Sequence, residues 1–281
     1  MGDHYIPQYY LRGFTSLVGG KIWTYEKGGP IKFQSDVKKT GHEPNYYAPE
    51  VESYLANQIE GPANNVIKNI RSKEGVTKQD KETLATYMVI MLKRVPQSKI
   101  RMKEIAPGVA QQQQEKWDQE ISKLVTEHPD KTDLLKTRRA EIKKNLEKYS
   151  LNPPKDFWLS LIPPERTPNV INVLQQMTWH FLTFDEYPAF LTCDNPVFYF
   201  TWMGIGKPES EVTFPISSNI VLWATWREDI EEKYSEIKRQ AIKEINRRTA
   251  TNATRFVYHA RDESWIPKFI SKKNHNLNRL I

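Results

Sequence analysis

The 281-residue chain contains a single cysteine, Cys193, which excludes an internal disulfide and a cysteine-built structural zinc site. No apolar run approaches the ~20 residues of a membrane span. The opening Met1-Gly2-Asp3-His4-Tyr5-Ile6-Pro7 has neither the basic start nor the apolar stretch of a secretory leader. A soluble, cytoplasmic protein with no membrane partner is the expectation. Also missing are a Gly-rich phosphate loop ending in Lys-Ser/Thr, a dinucleotide fingerprint, a His-Glu-x-x-His and a Gly-x-Ser-x-Gly. None of the six histidines falls in a metal-ligand spacing, and no internal repeat is visible.

Aromatic residues are plentiful, with 8 Trp, 13 Tyr and 11 Phe, enough bulky apolar surface for one large domain or two intimate ones. The net charge of +7 sits at one end: from Ser235 to Ile281 there are 11 Lys and Arg against 4 Asp and Glu, while the other 234 residues balance at 30 of each sign. Such a basic segment suits contact with phosphate backbones or acidic surfaces. If a macromolecule binds there, nucleic acid leads, with Lys238, Arg239, Lys243, Arg247 and Arg248 as its contacts. The plain alternative is a solvated helix face followed by a basic terminus.

Periodicity predicts a short helix over His4–Phe14 ended by Gly13. A β-hairpin follows over Lys21–Tyr25 and Ile31–Phe33, with Gly28-Gly29 between. Val51–Arg71 reads as helical with a break or kink at Gly61-Pro62. Thr77 and Asp80 form a capping box opening a stronger helix that stops at Pro96. Residues 110–152 read as an exposed helical arm, broken near His128-Pro129 and suited to self-association. The texture changes after Pro153-Pro154 and Pro163-Pro164, so the single domain of 1–281 divides into sub-regions 1–109, 110–152 and 153–281. Val170–Met177 reads as a short helix. Extended runs then cover Thr178–Phe184, Ala189–Leu191, Val197–Trp202, Glu211–Phe214, Asn219–Trp226 and Arg255–Ala260, with a long charged helix over Asp229–Arg248. The class is α+β: an N-terminal helix and hairpin, central helices with an arm, and a C-terminal antiparallel or mixed sheet.

Several polar groups carry possible chemistry. His4, Gln8 and Arg12 are spaced by four and share a face if the helix begins at His4; imidazole, amide and guanidinium in a row can hold a phosphate. Glu52 and Glu60, eight apart, lie roughly 12 Å from one another by helical rise, too far to ligate one metal together; pairing with Arg12 or Arg94 is expected. Arg94 either caps its helix or points inward and needs a carboxylate. In Thr192-Cys193-Asp194-Asn195-Pro196 the Asp and Asn suit a turn, and a strand-end Asp194 also suits a metal ligand or general base. Cys193 reads as a small buried residue, and His180 and His259 as satisfied core histidines.

The opening His4-x-x-Pro7-x-x-Tyr10-Leu11-Arg12-x-Phe14 resembles the N-terminal signature of a bacterial domain of unknown function, family 4238. Further matches follow in order: Tyr46-Tyr47, a helix with Glu52 and Glu60, Arg94-Val95-Pro96 with Val in place of Thr, Thr192 to Val197 with Cys193 in place of Ser, and Pro215-Ile216-Ser217. The resemblance implies that His4, Gln8, Arg12, Glu52, Glu60, Arg94, Asp194 and Asn195 converge in one pocket. Such a set is the raw material of a hydrolytic site and equally of a buried polar network that pins the fold. The first expectation is therefore a phosphodiester-directed hydrolase, a nuclease-like effector of defence or toxin type. In it His4 serves as acid or base, Glu60 and Asp194 hold a divalent cation such as Mg²⁺ or Mn²⁺ or activate water, and Gln8, Arg12, Arg94 and Asn195 bind the substrate. The second expectation is a non-catalytic binding or sensor module for a small anion or a partner protein.

Overall fold

The structure, a computed structural model, describes residues 3–16, 19–151, 165, 167–272 and 275–280. The transition at Pro153-Pro154 and Pro163-Pro164 lies outside them, as do Asn152 at the end of the expected arm and Lys273 of the basic segment. In chain order the elements are β1 (Asp3–His4), α1 (Gln8–Leu11), β2 (Lys21–Glu26), β3 (Lys32–Asp36), β4 (His42–Glu43), α2 (Pro49–Tyr54), a π-helical stretch (Leu55–Glu60), α3 (Gly61–Arg71) and α4 (Lys78–Arg94). Next come α5 (Pro96–Glu127), α6 (Thr132–Leu151), α7 (Pro168–Gln176), β5 (Thr178–Thr183), β6 (Thr192–Cys193), β7 (Phe198–Tyr199) and β8 (Glu211–Ser217). The chain closes with β9 (Ile220–Thr225), β10 (Tyr234–Glu236), α8 (Arg239–Asn252), β11 (Phe256–His259) and α9 (Trp265–Ile270). The fold is α+β.

Two compact units form, one from Met1–Pro96 with Ile162–Ile281 and one from Gln97–Leu161. The larger unit holds three sheets among its described residues: the pair β1-β4, a five-stranded sheet in the order β10-β5-β9-β8-β7, and a four-stranded sheet in the order β3-β2-β11-β6. β9 is buried along its whole length, as a strand covered on both faces must be, and its Ile-Val-Leu-Trp run reads accordingly. Tyr10 of α1 stacks on Phe214 of β8 with ring centroids 5.2 Å apart, which anchors the N-terminal segment to this sheet. The smaller unit is the helical pair α5 and α6 about a 3₁₀ turn at Pro129–Lys131, with Arg139 Nε bonded to Asp118 Oδ1 at 2.6 Å. Among the described residues no helix is long and apolar enough to cross a membrane.

The hairpin forms as expected. The helix does not break at Gly61, which stays helical at φ −53°, ψ −58°; the irregularity is the π-helical stretch Leu55–Glu60 just before it. Thr77 accepts a bond from Asp80 N at 3.1 Å and its own N–H bonds Asp80 Oδ2 at 2.9 Å, completing the capping box. Thr77→Ala should cost about 1 kcal/mol and lower Tm in calorimetry by roughly 2–4 °C.

Four more expectations are corrected. The segment from His4 is not one helix, because Pro7 (φ −58°, ψ 136°) is extended; α1 starts only at Gln8 and passes into a 3₁₀ turn at Arg12. Pro96 does not only stop a helix. Val95 before it is extended (φ −75°, ψ 157°), and Pro96 itself opens α5, where a missing N–H is harmless. Ala189–Leu191 forms no strand; its amides bond the Ser218 carbonyl and the Asn246 side chain. The helix expected over Asp229–Arg248 begins at Arg239, since Tyr234–Glu236 instead pairs in parallel with Phe181–Thr183.

Candidate functional site

Two histidines meet where the shortest sheet closes. β1 and β4 pair antiparallel with His4 directly opposite His42, so both side chains leave the same face. Their ring centroids are 5.5 Å apart. Gly41 makes this approach possible: its φ is +66°, and a Cβ there would come within 2.9 Å of the Ile6 Cβ. Burial, followed by the neighbouring His42, pushes the His4 pKa below its ordinary value, opposed by a hydrogen bond to the Lys38 backbone. His4 Nε2 has no hydrogen-bond partner among the described residues. With Nδ1 donating to the Lys38 carbonyl, Nε2 keeps its lone pair, the form a general base requires.

The acidic wall comes from the helices. Pro49 starts α2 with Glu50 and Glu52 in its first turn, where the helix dipole favours anions. The π-helical stretch then ends at Glu60. Burial raises the Glu52 pKa, Arg94 opposes it and Glu60 adds to it. Glu52 Oε2 is buried without a partner among the described residues, as are His42 Nδ1 and the Tyr87 hydroxyl. With His4 Nε2 these are four of twelve such atoms among the described residues; what groups them is that Arg94 acts electrostatically on His4, Glu52 and Tyr87 and that His42 lies against His4.

Arg94, the last residue of α4, is fully buried and ties these elements together. Its Nη1 bonds Glu60 Oε1 at 2.6 Å, its Nε bonds the Tyr47 hydroxyl at 3.2 Å, and its Nη2 donates to the His4 carbonyl. The Tyr46 hydroxyl in turn donates to the Arg94 carbonyl at 2.9 Å. Burial works against the guanidinium charge, but Tyr47 and Glu60 raise its pKa above the ordinary value. The expected pairing of Arg94 with a helix carboxylate is what forms. Each of its three nitrogens already bonds the protein, so Arg94 positions His4 and Glu60 and is not a free clamp for substrate.

The other candidates lie differently. Gln8 is half-buried at the start of α1 and Arg12 is exposed on the turn beyond it, so the row with His4 does not exist. Asp194 is buried at the end of β6, and its oxygens accept the backbone amides of Thr254 at 2.7 Å, Arg255 at 2.7 Å and Phe256 at 2.9 Å. Burial raises its pKa and these three amides oppose the rise. Asn195 bonds the Asn252 carbonyl, and Asn252 returns a bond to the Asn195 carbonyl at 2.6 Å. These two residues splice β6 to the α8–β11 corner, which is the turn chemistry their sequence suggests. The expected convergence of all eight polar residues therefore reduces to His4, Glu52, Glu60 and Arg94, joined by His42.

A divalent cation does not fit these residues. Among the described residues no three His, Cys, Asp or Glu side chains gather to hold a metal. The Asp194 oxygens already accept three amides, and Glu60 is committed to Arg94.

The basic stripe is corrected in part. Lys238, Arg239 and Lys243 are exposed, while Arg247 is half-buried and bonds Glu244 Oε2 at 3.1 Å. Arg248 is fully buried: Nη2 bonds Glu211 Oε2 at 2.5 Å and the Asn278 carbonyl at 2.8 Å, and its guanidinium lies over Phe198 and Phe200. The phase of α8 explains this, since Arg239 and Lys243 share the outer face whereas Glu244 and Arg248 share the inner one. Arg248 is out of reach of a phosphate backbone.

Both core histidines are satisfied. His180 bonds the Glu231 carbonyl at 2.9 Å and Ser235 Oγ at 2.6 Å; His259 bonds the Pro188 carbonyl at 3.2 Å and accepts the Arg261 amide at 3.2 Å. Burial holds the His259 pKa below its ordinary value. A depressed base costs stability when it must charge, so the stability of the protein relative to a His259→Gln variant should fall as pH drops below about 6.5 and through the folded-state pKa. Urea midpoints at pH 7.5 and 5.0 test this, and a difference that is flat with pH contradicts it.

His42 is the site residue that the sequence reading missed. Its only signal was the Gly-His step after the hairpin, and its partner is distant in the chain. Neither a curated protein nor a solved structure matches the chain. A family model does, over residues 3–263 of the 281. The chain thus belongs to the family described as protein of unknown function (DUF4238).

Proposed function

We propose that the protein is a phosphodiester-directed hydrolase that works by general acid–base catalysis without a protein-held metal. The observation that carries this reading is the pair of unpartnered buried atoms, His4 Nε2 and Glu52 Oε2, beside one buried arginine. His4, neutral because its pKa is lowered, takes the proton of an attacking hydroxyl or water as its oxygen bonds to phosphorus. Glu52, its pKa raised, donates a proton to the leaving oxygen as that P–O bond breaks. Arg94 holds Glu60 and the His4 backbone in place. Lys238, Arg239 and Lys243 supply the exposed positive surface that attracts nucleic acid, a contribution that should weaken steeply with salt.

The experiment is an incubation of the purified full chain with labelled RNA, single-stranded DNA and plasmid, each with and without EDTA. Cleavage that survives EDTA is the expected result. A second reading, a non-catalytic module for a small anion or partner, is favoured by the engagement of Arg94 and Asp194 with internal partners. Absence of cleavage in every arm, together with salt-sensitive binding, would replace the first reading by the second.

A further inference from the structure

A cavity of about 420 Å³ shares no lining residue with the His4 site. Its size falls within the ~300–1,000 Å³ of small-molecule sites. One wall is the first two turns of α8, carrying Arg239 and Lys243; the facing residues are Tyr187, Glu263, Trp265 and Phe269. The floor is fixed and spent. Asn246 Oδ1 accepts the Leu191 amide and its Nδ2 donates to the Ala189 carbonyl, both at 2.9 Å, and His259 is saturated by backbone groups. Recognition therefore falls to the rim.

The rim offers three kinds of group. Tyr187 and Trp265 are 37% and 40% exposed, so part of each ring faces solvent. Each is braced edge-on by a second ring, Tyr187 by Phe184 with centroids 5.0 Å apart and Trp265 by Phe269 at 5.4 Å. Braced, exposed aromatics are platforms for stacking a planar ligand. Lys243 makes no ion pair among the described residues, and Arg239 has only an exposed 3.7 Å pairing with Glu186, a contact worth little in water. These two cations, one turn apart on α8, suit a phosphate. The Glu263 carboxylate, also without an ion pair among the described residues, is an acceptor for hydroxyl or amino hydrogens. A bare phosphate would leave the rings unused, and a neutral aromatic would leave the cations unused.

We propose that this cleft binds a nucleotide unit, with its base against Trp265 and Tyr187, its phosphate on Arg239 and Lys243, and a sugar hydroxyl or exocyclic amine on Glu263. The unit comes either from a free mononucleotide or from a single strand, and the two sources are separable. Isothermal titration of the full chain with AMP, adenosine, inorganic phosphate and a 5′-phosphorylated RNA trinucleotide is the test. AMP should bind, with adenosine and phosphate each weaker by about tenfold or more, because stacking and charge each contribute on that scale. Trp265→Ala and Lys243→Gln should each weaken AMP binding about tenfold. Lys243→Gln changes only an exposed side chain and so tests the proposal even if Trp265→Ala fails to fold. A trinucleotide binding at least ten times tighter than AMP identifies a strand as the source, and equal affinity identifies the free nucleotide. No heat from AMP or the trinucleotide at millimolar concentration, phosphate binding as tightly as AMP, or unchanged AMP binding in Lys243→Gln overturns the proposal. The readout is binding, which His4→Ala should leave intact, so loss of the hydrolase reading and loss of this one are distinguishable.

Discussion

Arg248→Ala should be the most damaging single substitution on α8, lowering stability by about 3–5 kcal/mol. At this chain size that corresponds to a fall in Tm of roughly 6–20 °C. The guanidinium and its partner Glu211 are 0% and 2% exposed, so removing one charge strands the other out of water. The loss also opens space beside Phe198 and Phe200 and breaks the bond to the Asn278 carbonyl. Two neighbouring contacts keep the C-terminal segment against this pair, Leu280 N to Glu211 Oε2 at 3.1 Å and Asn278 N to Glu244 Oε1 at 2.9 Å, so the segment should loosen with it. Arg239→Ala and Lys243→Ala, on the exposed face, should stay within about 0.5 kcal/mol of the parent. Equal melting temperatures for all three variants would contradict the buried pairing. Replacing Arg248 and Glu211 together by Met and Leu should recover much of the loss, because an apolar pair of similar volume escapes the desolvation penalty.

His4→Ala should reduce phosphodiester cleavage by about 10²–10⁴-fold with a much smaller change in Tm than Arg94→Ala. The contrast follows from what each side chain holds. His4 Nε2 holds nothing among the described residues, whereas Arg94 secures Glu60, Tyr47 and the His4 backbone from a fully buried position. Glu52→Gln should lose activity to a similar degree. The pH profile gives a further sign. The His4 pKa lies below the ordinary histidine value and that of Glu52 above the ordinary carboxylate value. Activity should rise as His4 loses its proton and fall as Glu52 loses its own, giving a bell on the acid side of neutrality. His4→Ala should remove one limb of whatever activity remains. A His4→Ala protein with undiminished cleavage, or one that melts as low as Arg94→Ala, would leave the cluster as a structural pin.

Local chemistry made some of this readable in advance. The Thr77–Asp80 box and the alternation of Lys21–Tyr25 act within a few residues, and both appear where the sequence places them. Arg94 in the last turn of an apolar helix either caps it or points inward to a carboxylate, and the second holds, with Glu60 as the partner. What failed was non-local. Tyr234–Glu236 lies in a charged run that suits a helix surface, yet pairing with β5 makes it a strand. His4 resembles a helix residue by spacing, but a strand partner beyond the hairpin claims it. The basic stripe was legible in composition and not in direction, because a helix starting at Arg239 turns Arg248 inward.

The π-helical stretch Leu55–Glu60 has a consequence for how such proteins diverge. A π turn is an α-helix with one residue too many. A descendant lacking one residue there would close the helix with ordinary bonds, and Glu52 would swing about 100° around the axis relative to Glu60. Every residue of the polar cluster could still be present in that descendant, yet its acid wall would be dismantled. Lineages that keep this site and lineages that lose it should therefore part at a gap in the alignment between Glu52 and Glu60, where no substitution need be seen.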